Sequence, residues 1–216
     1  MTLTPLVMLI SHEKKFLFVH IQKTAGSSLT QLLTEFIPDL VPYMGTHDHA
    51  VWAKNKGEFI WDEYYKVAFV RNPWDRLLSW YMMITQFSEY FVQQGSAHQI
   101  NHLWRYVLEN STSFESFLYN CTATIDDNDG KKNFLFNQLD YVTDESGKII
   151  VDFVGRFESL HDDMQQVFDG LHLSDLELAH HNASTRSHYQ DYYTHATRRL
   201  VARRYERDID FFGYCF

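Results

Sequence analysis

The sequence predicts an α/β fold with a central, mainly parallel β-sheet flanked by helices. Two successive strand–loop–helix units carry this prediction, and both strands are short, nearly continuous apolar runs, which is typical of strands buried on both faces. The 216 residues include only nine glycines and four prolines, with no low-complexity run and no internal repeat. We therefore expect a single domain over residues 1–216.

The first unit comprises a strand at residues 16–21, a loop at 22–26 and a helix at 27–36. One face of that helix carries four apolar residues: Leu29, Leu32, Leu33 and Phe36. Their spacing is typical of an α-helix that packs one side against a core. The order strand, loop, helix is the building block of a parallel sheet.

The second unit comprises a strand at residues 66–70 and a helix from about 75 to 86, joined by a short loop. Asn72 is a good N-cap residue, and Pro73 suits the first helical position because no backbone N–H is needed there. Asp75 adds negative charge in the first turn, where the helix dipole favours it. The start of this helix is therefore strongly specified.

The remaining segments are less regular. Residues 82–141 have a helical and irregular pattern, with a capping box expected at 112–115. An apolar run predicts a strand at 149–154, and a helix is expected at 158–168. A final helix is expected from 194 to about 210. Its inward-facing residues are predicted to be Leu200, Val201, Tyr205 and Ile209.

The chain is acidic, with 28 aspartates and glutamates against 19 lysines and arginines and a formal net charge of −9. This balance argues against a protein that coats nucleic acid non-specifically or lies on an anionic membrane. Twelve histidines make the net charge depend on pH near neutrality.

The sequence also predicts the cellular location of the protein. No stretch approaches the roughly 18 apolar residues of a membrane span. Residues 1–10 are apolar but lack a basic leader and a small-residue cleavage site. Two cysteines, Cys121 and Cys215, are too few for a disulfide framework, which favours a reducing compartment. We expect a cytoplasmic protein with no membrane span.

The loop of the first unit has the features of an anion-binding site. A turn rich in small residues between a buried strand and a helix presents backbone N–H groups at the positive end of the helix dipole. Lys23 adds a full charge, and hydroxyl donors come from Thr24, Ser27 and Ser28. The alternative is that Thr24 or Ser27 only caps the helix. The loop is not a Walker A loop, because Lys23 precedes its only glycine, Gly26.

The second loop offers another anion-binding group. Arg71 directly follows the second strand, and Ser79 lies about two helical turns along the next helix. Arg71 has the fork geometry to bind a phosphate through two hydrogen bonds. The alternative is a surface ion pair with Asp75. Because ligands of open α/β sheets gather at the carboxyl ends of the strands, the two loops together are more informative than either alone.

Both loops match known motifs. Residues 20–29, His-Ile-Gln-Lys-Thr-Ala-Gly-Ser-Ser-Leu, resemble the 5′-phosphosulfate-binding loop of the sulfotransferase superfamily, in particular its carbohydrate type, which includes heparan sulfate O-sulfotransferases. Residues 70–81 resemble the 3′-phosphate-binding motif of that family. Weaker similarity continues at residues 138–141, 154–158, 182–184, 189–193 and 212–214. Gln22 stands where the family usually has proline. The chain is most similar to soluble bacterial members, since no anchor is expected.

The resemblance implies a P-loop-like three-layer fold and 3′-phosphoadenosine-5′-phosphosulfate (PAPS) as sulfuryl donor, with no metal required. It assigns the 5′-phosphosulfate to the loop residues Lys23, Thr24, Ala25, Gly26, Ser27 and Ser28. It assigns the 3′-phosphate to Arg71 and Ser79, with Arg186 as a weaker candidate. Lys23 is also catalytic in this scheme, because it neutralises the charge that builds on the bridging oxygen as the bond to sulfur breaks.

The acceptor hydroxyl must lose a proton, and residues 46–50, Thr-His-Asp-His-Ala, offer two candidate bases. A His-x-x-Ala pattern in soluble family members selects His47, whereas a two-histidine arrangement like that of some heparan sulfate enzymes permits His49. We favour His47. Neither these histidines nor His180 and His181 belong to a metal-binding motif, so no metal site is expected.

These features predict a single-domain, PAPS-dependent sulfotransferase that acts on a hydroxyl of a carbohydrate or glycoconjugate. The expected partners are a small-molecule nucleotide donor and this acceptor, with no nucleic acid. Two other functions stay open: a nucleotide kinase-like phosphotransferase that binds ATP in the first loop, and a non-catalytic nucleotide-binding module. The net charge of −9 favours a neutral or lightly charged acceptor over a heavily sulfated polyanion.

Overall fold

The computed structural model describes residues 7–123, 134–173 and 187–216. Its strands are β1 (Leu9–Ser11), β2 (Phe16–Val19), β3 (Val41–Pro42), β4 (Tyr65–Val70) and β5 (Phe153–Arg156). Its α-helices are α1 (Gly26–Phe36), α2 (Ala50–Lys56), α3 (Pro73–Gln93), α4 (His102–Asn110), α5 (Phe114–Asn120), α6 (Leu160–Gly170), α7 (His195–Arg204) and α8 (Glu206–Phe212). Short 3-10 turns lie at Trp61–Glu63, Ala97–Gln99, Gln138–Tyr141, Phe157–Ser159 and Tyr189–Tyr192.

The chain divides into two compact units. The first comprises Met1–Arg71 and Gln138–Ser184, and the second comprises Asn72–Asn137 and Thr185–Phe216. All the strands named above belong to the first unit, together with α1, α2 and α6. The second unit holds α3, α4, α5, α7 and α8.

The five strands form one sheet in the order β3-β1-β2-β4-β5. β2 pairs with β4 in parallel, and β4 pairs with β5 in parallel. β1 is antiparallel to both of its neighbours, β2 and β3, so the other four strands run in one direction. The predicted α/β class is confirmed, and the sheet is mainly but not entirely parallel. β1 and β3 were not predicted, because two or three residues are too few to show a periodicity.

One face of the sheet forms the core of the first unit with α1 and α6. The sheet contributes Phe16, Phe18, Val67 and Phe69, and the helices contribute Leu29, Leu33, Met164, Val167 and Phe168. Within the predicted face of α1, Leu29 and Leu33 are buried, and Leu32 and Phe36 are partly buried. The Phe69 ring packs directly on Gly155 of β5, because a Cβ added to Gly155 would lie 2.4 Å from that ring.

The second unit packs α3 against α4, α5 and α7. Its core comprises Trp74, Leu77, Leu78, Trp80, Ile84, Leu103, Val107, Phe114, Phe117, Leu118, Cys121, Phe134, Val201 and Tyr205. The predicted start of α3 is confirmed, because the Asn72 side chain accepts a hydrogen bond from the Trp74 N–H and Pro73 is in the first turn. α3 continues past residue 86 to Gln93, and the chain then turns at Gly95, whose φ is 67°.

Three boundaries differ from those predicted. The strand expected at 149–154 is wrong in its bounds, because Ile149 pairs with Thr143 in an isolated antiparallel bridge and only Phe153–Arg156 joins β4. The capping box lies one residue later than expected, between Ser113 and Ser116. The helix expected from 194 to 210 is two helices, since the buried Tyr205 ends α7 and begins α8 with φ −114°.

Two further observations concern the predicted location. In the part of the chain that the structure describes, every helix is too short or too polar to cross a bilayer. Cys121 is buried and Cys215 is exposed, and both carry free thiols.

Candidate active site

The loop between β2 and α1 has the backbone shape of an anion-binding turn. Lys23 and Ala25 both adopt left-handed conformations, with φ of 67° and 66°. Ala25 is the N-cap of α1, and no side chain forms a cap hydrogen bond there. The alternative that Thr24 or Ser27 caps α1 is therefore wrong. A helix that begins without a side-chain cap leaves its first N–H groups to bind an anion at the positive end of the dipole.

The hydroxyl groups of this loop have different surroundings. The Thr24 side chain is buried, and its Oγ1 donates a hydrogen bond of 2.9 Å to the Ile21 carbonyl oxygen. That bond closes the turn after β2. Ser27 and Ser28 lie in the first turn of α1 and are exposed. The two serines are thus the accessible hydroxyl donors of the loop, whereas the hydroxyl proton of Thr24 stabilises the turn itself.

Arg71 connects the second loop to the first. One guanidinium nitrogen, Nη1, donates a hydrogen bond of 3.1 Å to the Lys23 carbonyl oxygen. The guanidinium also lies 3.7 Å from the centre of the Phe157 ring, and only 6% of Arg71 is exposed. Since β2 and β4 are adjacent parallel strands, the two loops meet at their carboxyl ends. The two predicted phosphate-binding loops are therefore in direct contact.

Gln138 holds the backbone of Arg71. Its Oε1 accepts a hydrogen bond of 2.8 Å from the Arg71 N–H, and its Nε2 donates one of 2.8 Å to the Arg71 carbonyl oxygen. Gln138 is completely buried. The sequence assigned it no role, because its partner lies 67 positions away and no local pattern marks the pair.

His47 lies against the strand that leads into the loop. Its Nδ1 is 3.2 Å from the His20 carbonyl oxygen, and the two imidazole rings are 4.6 Å apart. A carbonyl oxygen only accepts hydrogen bonds, so in the neutral ring Nδ1 carries the proton. Nε2 then has the lone pair that a general base needs.

His20 also lies directly beneath the glycine of the loop. A Cβ added to Gly26 would come within 1.6 Å of the His20 Nε2 atom. Only a residue without a side chain therefore fits at position 26, where α1 begins next to the His20 ring. Through His20, the candidate base His47 and the anion-binding turn belong to one packed group, a role for His20 that the sequence alone did not indicate.

His49 has a different environment. It is the N-cap residue of α2, and its ring stacks on Trp52 with centroids 4.4 Å apart and an interplanar angle of 10°. The Tyr141 ring lies 4.3 Å away. His47 thus packs against the ring of His20, and His49 packs against the rings of Trp52 and Tyr141. The two candidate bases are therefore not equivalent.

One of three comparisons with known proteins finds a match for this chain. A model of the sulfotransferase family matches residues 7–215, which is nearly the whole chain and includes parts of both units. This chain belongs to the sulfotransferase family. Searches of curated proteins and of solved structures find no match. Family membership identifies a transferase that uses a small-molecule donor and an acceptor, and sulfotransferases of this family generally use PAPS.

The roles predicted for Ser79 and Arg186 stay predictions. Ser79 is half-buried on α3, in the second unit. Arg186 lies outside the described residues, as do His180 and His181. Within residues 7–123, 134–173 and 187–216, no group of three or more His, Cys, Asp or Glu side chains is placed to hold a metal ion. That no metal is required stays a prediction.

Proposed function

We propose that this sulfotransferase transfers the sulfuryl group of PAPS to a hydroxyl of a carbohydrate or glycoconjugate. The observation that carries the proposal is the hydrogen bond between Arg71 and Lys23, which joins the two predicted phosphate-binding loops at the carboxyl ends of β2 and β4. A donor with a phosphosulfate on one side of its nucleoside and a phosphate on the other needs two cationic groups close together. Lys23 and Arg71 supply them.

The donor contacts follow from the surroundings of each residue. Backbone N–H groups from Lys23 to Ser28, through Ala25 and Gly26, would bind the 5′-phosphosulfate, assisted by the hydroxyls of Ser27 and Ser28. Thr24 would contribute its N–H, since its hydroxyl proton is used by the Ile21 carbonyl. Arg71 would bind the 3′-phosphate together with Ser79 of the same family motif, and Arg186 is a separate, weaker candidate.

The chemistry requires one proton acceptor and one cation. His47 accepts the proton of the acceptor hydroxyl at Nε2 while the hydroxyl oxygen bonds to sulfur. The bond between sulfur and the bridging oxygen breaks, and Lys23 neutralises the charge that develops on that oxygen. The hydrogen bond from His47 Nδ1 to the His20 carbonyl stabilises the imidazolium that forms. His49 is the second candidate for the base.

We also propose a single sulfotransferase domain over residues 1–216 with a P-loop-like three-layer fold. The family match supports one domain, because it runs through segments of both units. The turn between β2 and α1 supports the P-loop-like description, because it places a lysine and a helix N-terminus after a buried strand. The free thiols of Cys121 and Cys215 fit the reducing conditions of a cytoplasmic location.

The test is conversion of PAPS to 3′-phosphoadenosine-5′-phosphate by the purified protein with a panel of saccharide acceptors. Lys23→Ala should lower kcat by about 10²–10³-fold, the usual cost of removing a charge-stabilising group from a transition state. Lys15→Ala is the matched control. Lys15 also has a positive φ, 47°, but it is exposed and lies at the opposite end of β2. Its substitution should leave kcat unchanged.

The same preparation separates the alternatives. Equal effects of Lys23→Ala and Lys15→Ala would contradict the role of Lys23. Magnesium-dependent binding of ATP without binding of PAPS, measured by calorimetry, would favour a phosphotransferase. Tight binding of PAPS with no turnover across the acceptor panel would favour a nucleotide-binding module.

A further inference from the structure

A fully buried glutamine is an unusual feature next to a candidate active site. Gln138 begins the 3-10 turn Gln138–Tyr141 and has no exposed surface. A buried amide is costly unless its acceptor oxygen and its N–H donors are satisfied. Gln138 uses its acceptor oxygen and one N–H on the same residue, with bonds of 2.8 Å to the N–H and to the carbonyl oxygen of Arg71.

The two hydrogen bonds from Gln138 take the place of strand pairing at the residue just after β4. The parallel ladder between β4 and β5 ends where Val70 faces Arg156. Arg71 is the next residue, just past the end of β4, and the side-chain amide of Gln138 binds its peptide groups as the backbone of a neighbouring strand binds a strand residue. The backbone of Arg71 is thus held in place where regular strand pairing has ended.

A fixed backbone determines where the Arg71 side chain can reach. Its guanidinium lies on the Phe157 ring and donates to the Lys23 carbonyl oxygen. Lys23 has a φ of 67°, in a region that non-glycine residues seldom adopt. The hydrogen bond from Arg71 therefore stabilises an uncommon backbone conformation at Lys23, the residue for which the family resemblance implies the catalytic contact.

We propose that Gln138 is a positioning residue of the sulfuryl-transfer reaction. It fixes the Arg71 backbone so that the guanidinium binds the donor phosphate and, through the Lys23 carbonyl, orients the Lys23 side chain. The proposal rests on the function proposed above, because it assumes that Lys23 and Arg71 serve PAPS. Gln138 itself touches neither the donor nor the acceptor.

The first test is Gln138→Met, which keeps the length of the side chain and removes both hydrogen bonds. We expect kcat to fall about 10- to 100-fold and KM for PAPS to rise, because small misplacements of reacting groups have effects of this size. KM for the acceptor should stay unchanged. Thr143→Val is the matched control, since it removes another buried hydrogen bond of the same segment, 2.9 Å from Thr143 Oγ1 to the Leu139 carbonyl. Its kcat should equal that of the wild type.

A double-mutant cycle separates positioning from general destabilisation. If Gln138 acts through the Arg71 side chain, Gln138→Met should lower kcat by less than about twofold in an Arg71→Ala background. A loss as large as in the wild-type background would overturn the proposal. Should Gln138→Met fail to fold, Gln138→Asn keeps the amide on a shorter side chain, and we expect the same pattern with a smaller loss.

Hydrogen exchange of the nucleotide-free protein tests the positioning apart from the reaction. Amides at residues 22–26 and at Arg71 should exchange faster in Gln138→Met than in Thr143→Val or the wild type. Unchanged exchange at 22–26 would overturn the proposal even if activity falls. If the wild type neither binds nor converts PAPS, the proposed function fails, while faster exchange at 22–26 still supports the effect of Gln138 on the Lys23 loop.

Discussion

The two candidate bases lie in different surroundings. His47 donates from Nδ1 to the His20 carbonyl, 3.2 Å away, which selects the tautomer with a lone pair on Nε2. His49 is stacked on Trp52 and packed on Tyr141. A base needs a defined tautomer and orientation before it can accept a proton, and a hydrogen bond to the other ring nitrogen provides both. We therefore keep His47 as the proposed base, with His49 as the second candidate.

Asparagine substitutions compare the two histidines without disturbing the backbone. His47 has a φ of 63°, a conformation that asparagine tolerates better than most residues. His47→Asn should lower kcat/KM by about 10²–10⁴-fold, the usual contribution of a general base. It should also remove the fall in kcat/KM at low pH that protonation of the base causes. His49→Asn should cost less than about tenfold. A larger loss in His49→Asn, measured by initial rates across the pH range, would make His49 the base.

The first turn of α3 is anchored by one side chain. The Oδ1 atom of Asn72 accepts a hydrogen bond from the Trp74 N–H, at 3.1 Å. Its Nδ2 atom donates to the Tyr189 hydroxyl, at 3.2 Å, and to the Cys215 carbonyl oxygen, at 2.8 Å. Asn72 thus caps α3 and also binds the C-terminal segment of the second unit. The sequence indicated only the first of these roles.

Two substitutions separate the two roles of Asn72. Asn72→Ser keeps an N-cap oxygen but is too short to reach Tyr189 and Cys215, whereas Asn72→Ala removes every hydrogen bond of the side chain. We expect Asn72→Ala to be less stable than Asn72→Ser by about 1 kcal/mol, the usual value of an N-cap. Asn72→Ser should in turn be less stable than the wild type by about 1–3 kcal/mol, because the hydrogen bonds to Tyr189 and Cys215 are lost and each contributes about 0.5–1.5 kcal/mol. Urea denaturation measures both differences, and equal stability of the two variants would show that the cap contributes little.

Local signals explain which elements the sequence predicted well. β2, α1, β4 and α3 lie close to their expected positions, because each strand is a compact apolar run and Asn72 and Pro73 mark the start of α3. The run at 149–154 was misassigned, because its first part pairs with residues near Thr143 and only its end reaches β4. Apolar character does not tell which partner a strand will choose.

The candidate site, like the fold, could be predicted only where the local sequence carries a signal. Lys23 and Arg71 were singled out because each follows an apolar strand, where ligands of α/β sheets gather, and the structure brings their two loops into contact. Gln138 and His20 could not be assigned roles, because their importance lies in contacts. Gln138 binds a residue 67 positions away. The His20 ring lies so close to Gly26 that a side chain at that position would collide with it. Such contacts follow from tertiary packing and leave no local pattern.

At the scale of the whole molecule, an acidic chain brings basic groups together at one edge of its sheet. The net charge is −9, yet the two loops at the carboxyl ends of β2 and β4 bring together Lys23, Arg71 and the N-terminus of α1. A local group of cations suffices to bind a nucleotide, because the negative charges of a nucleotide lie close together on its phosphates. A long polyanion also meets the field of the whole protein, which repels it. We therefore expect the net charge to affect the choice of acceptor more than the binding of the donor.

The salt dependence of turnover tests this selection. At saturating PAPS, kcat/KM for a heavily sulfated glycan should be low in dilute buffer and rise with added salt. Salt shortens the screening length from about 30 Å at 0.01 M to about 8 Å at 0.15 M and so weakens the repulsion. The value for a neutral saccharide should change little over the same range. A kcat/KM that falls with salt for the sulfated glycan would instead indicate a cationic surface that attracts the polymer, and the acceptor would then be a polyanion in spite of the net charge.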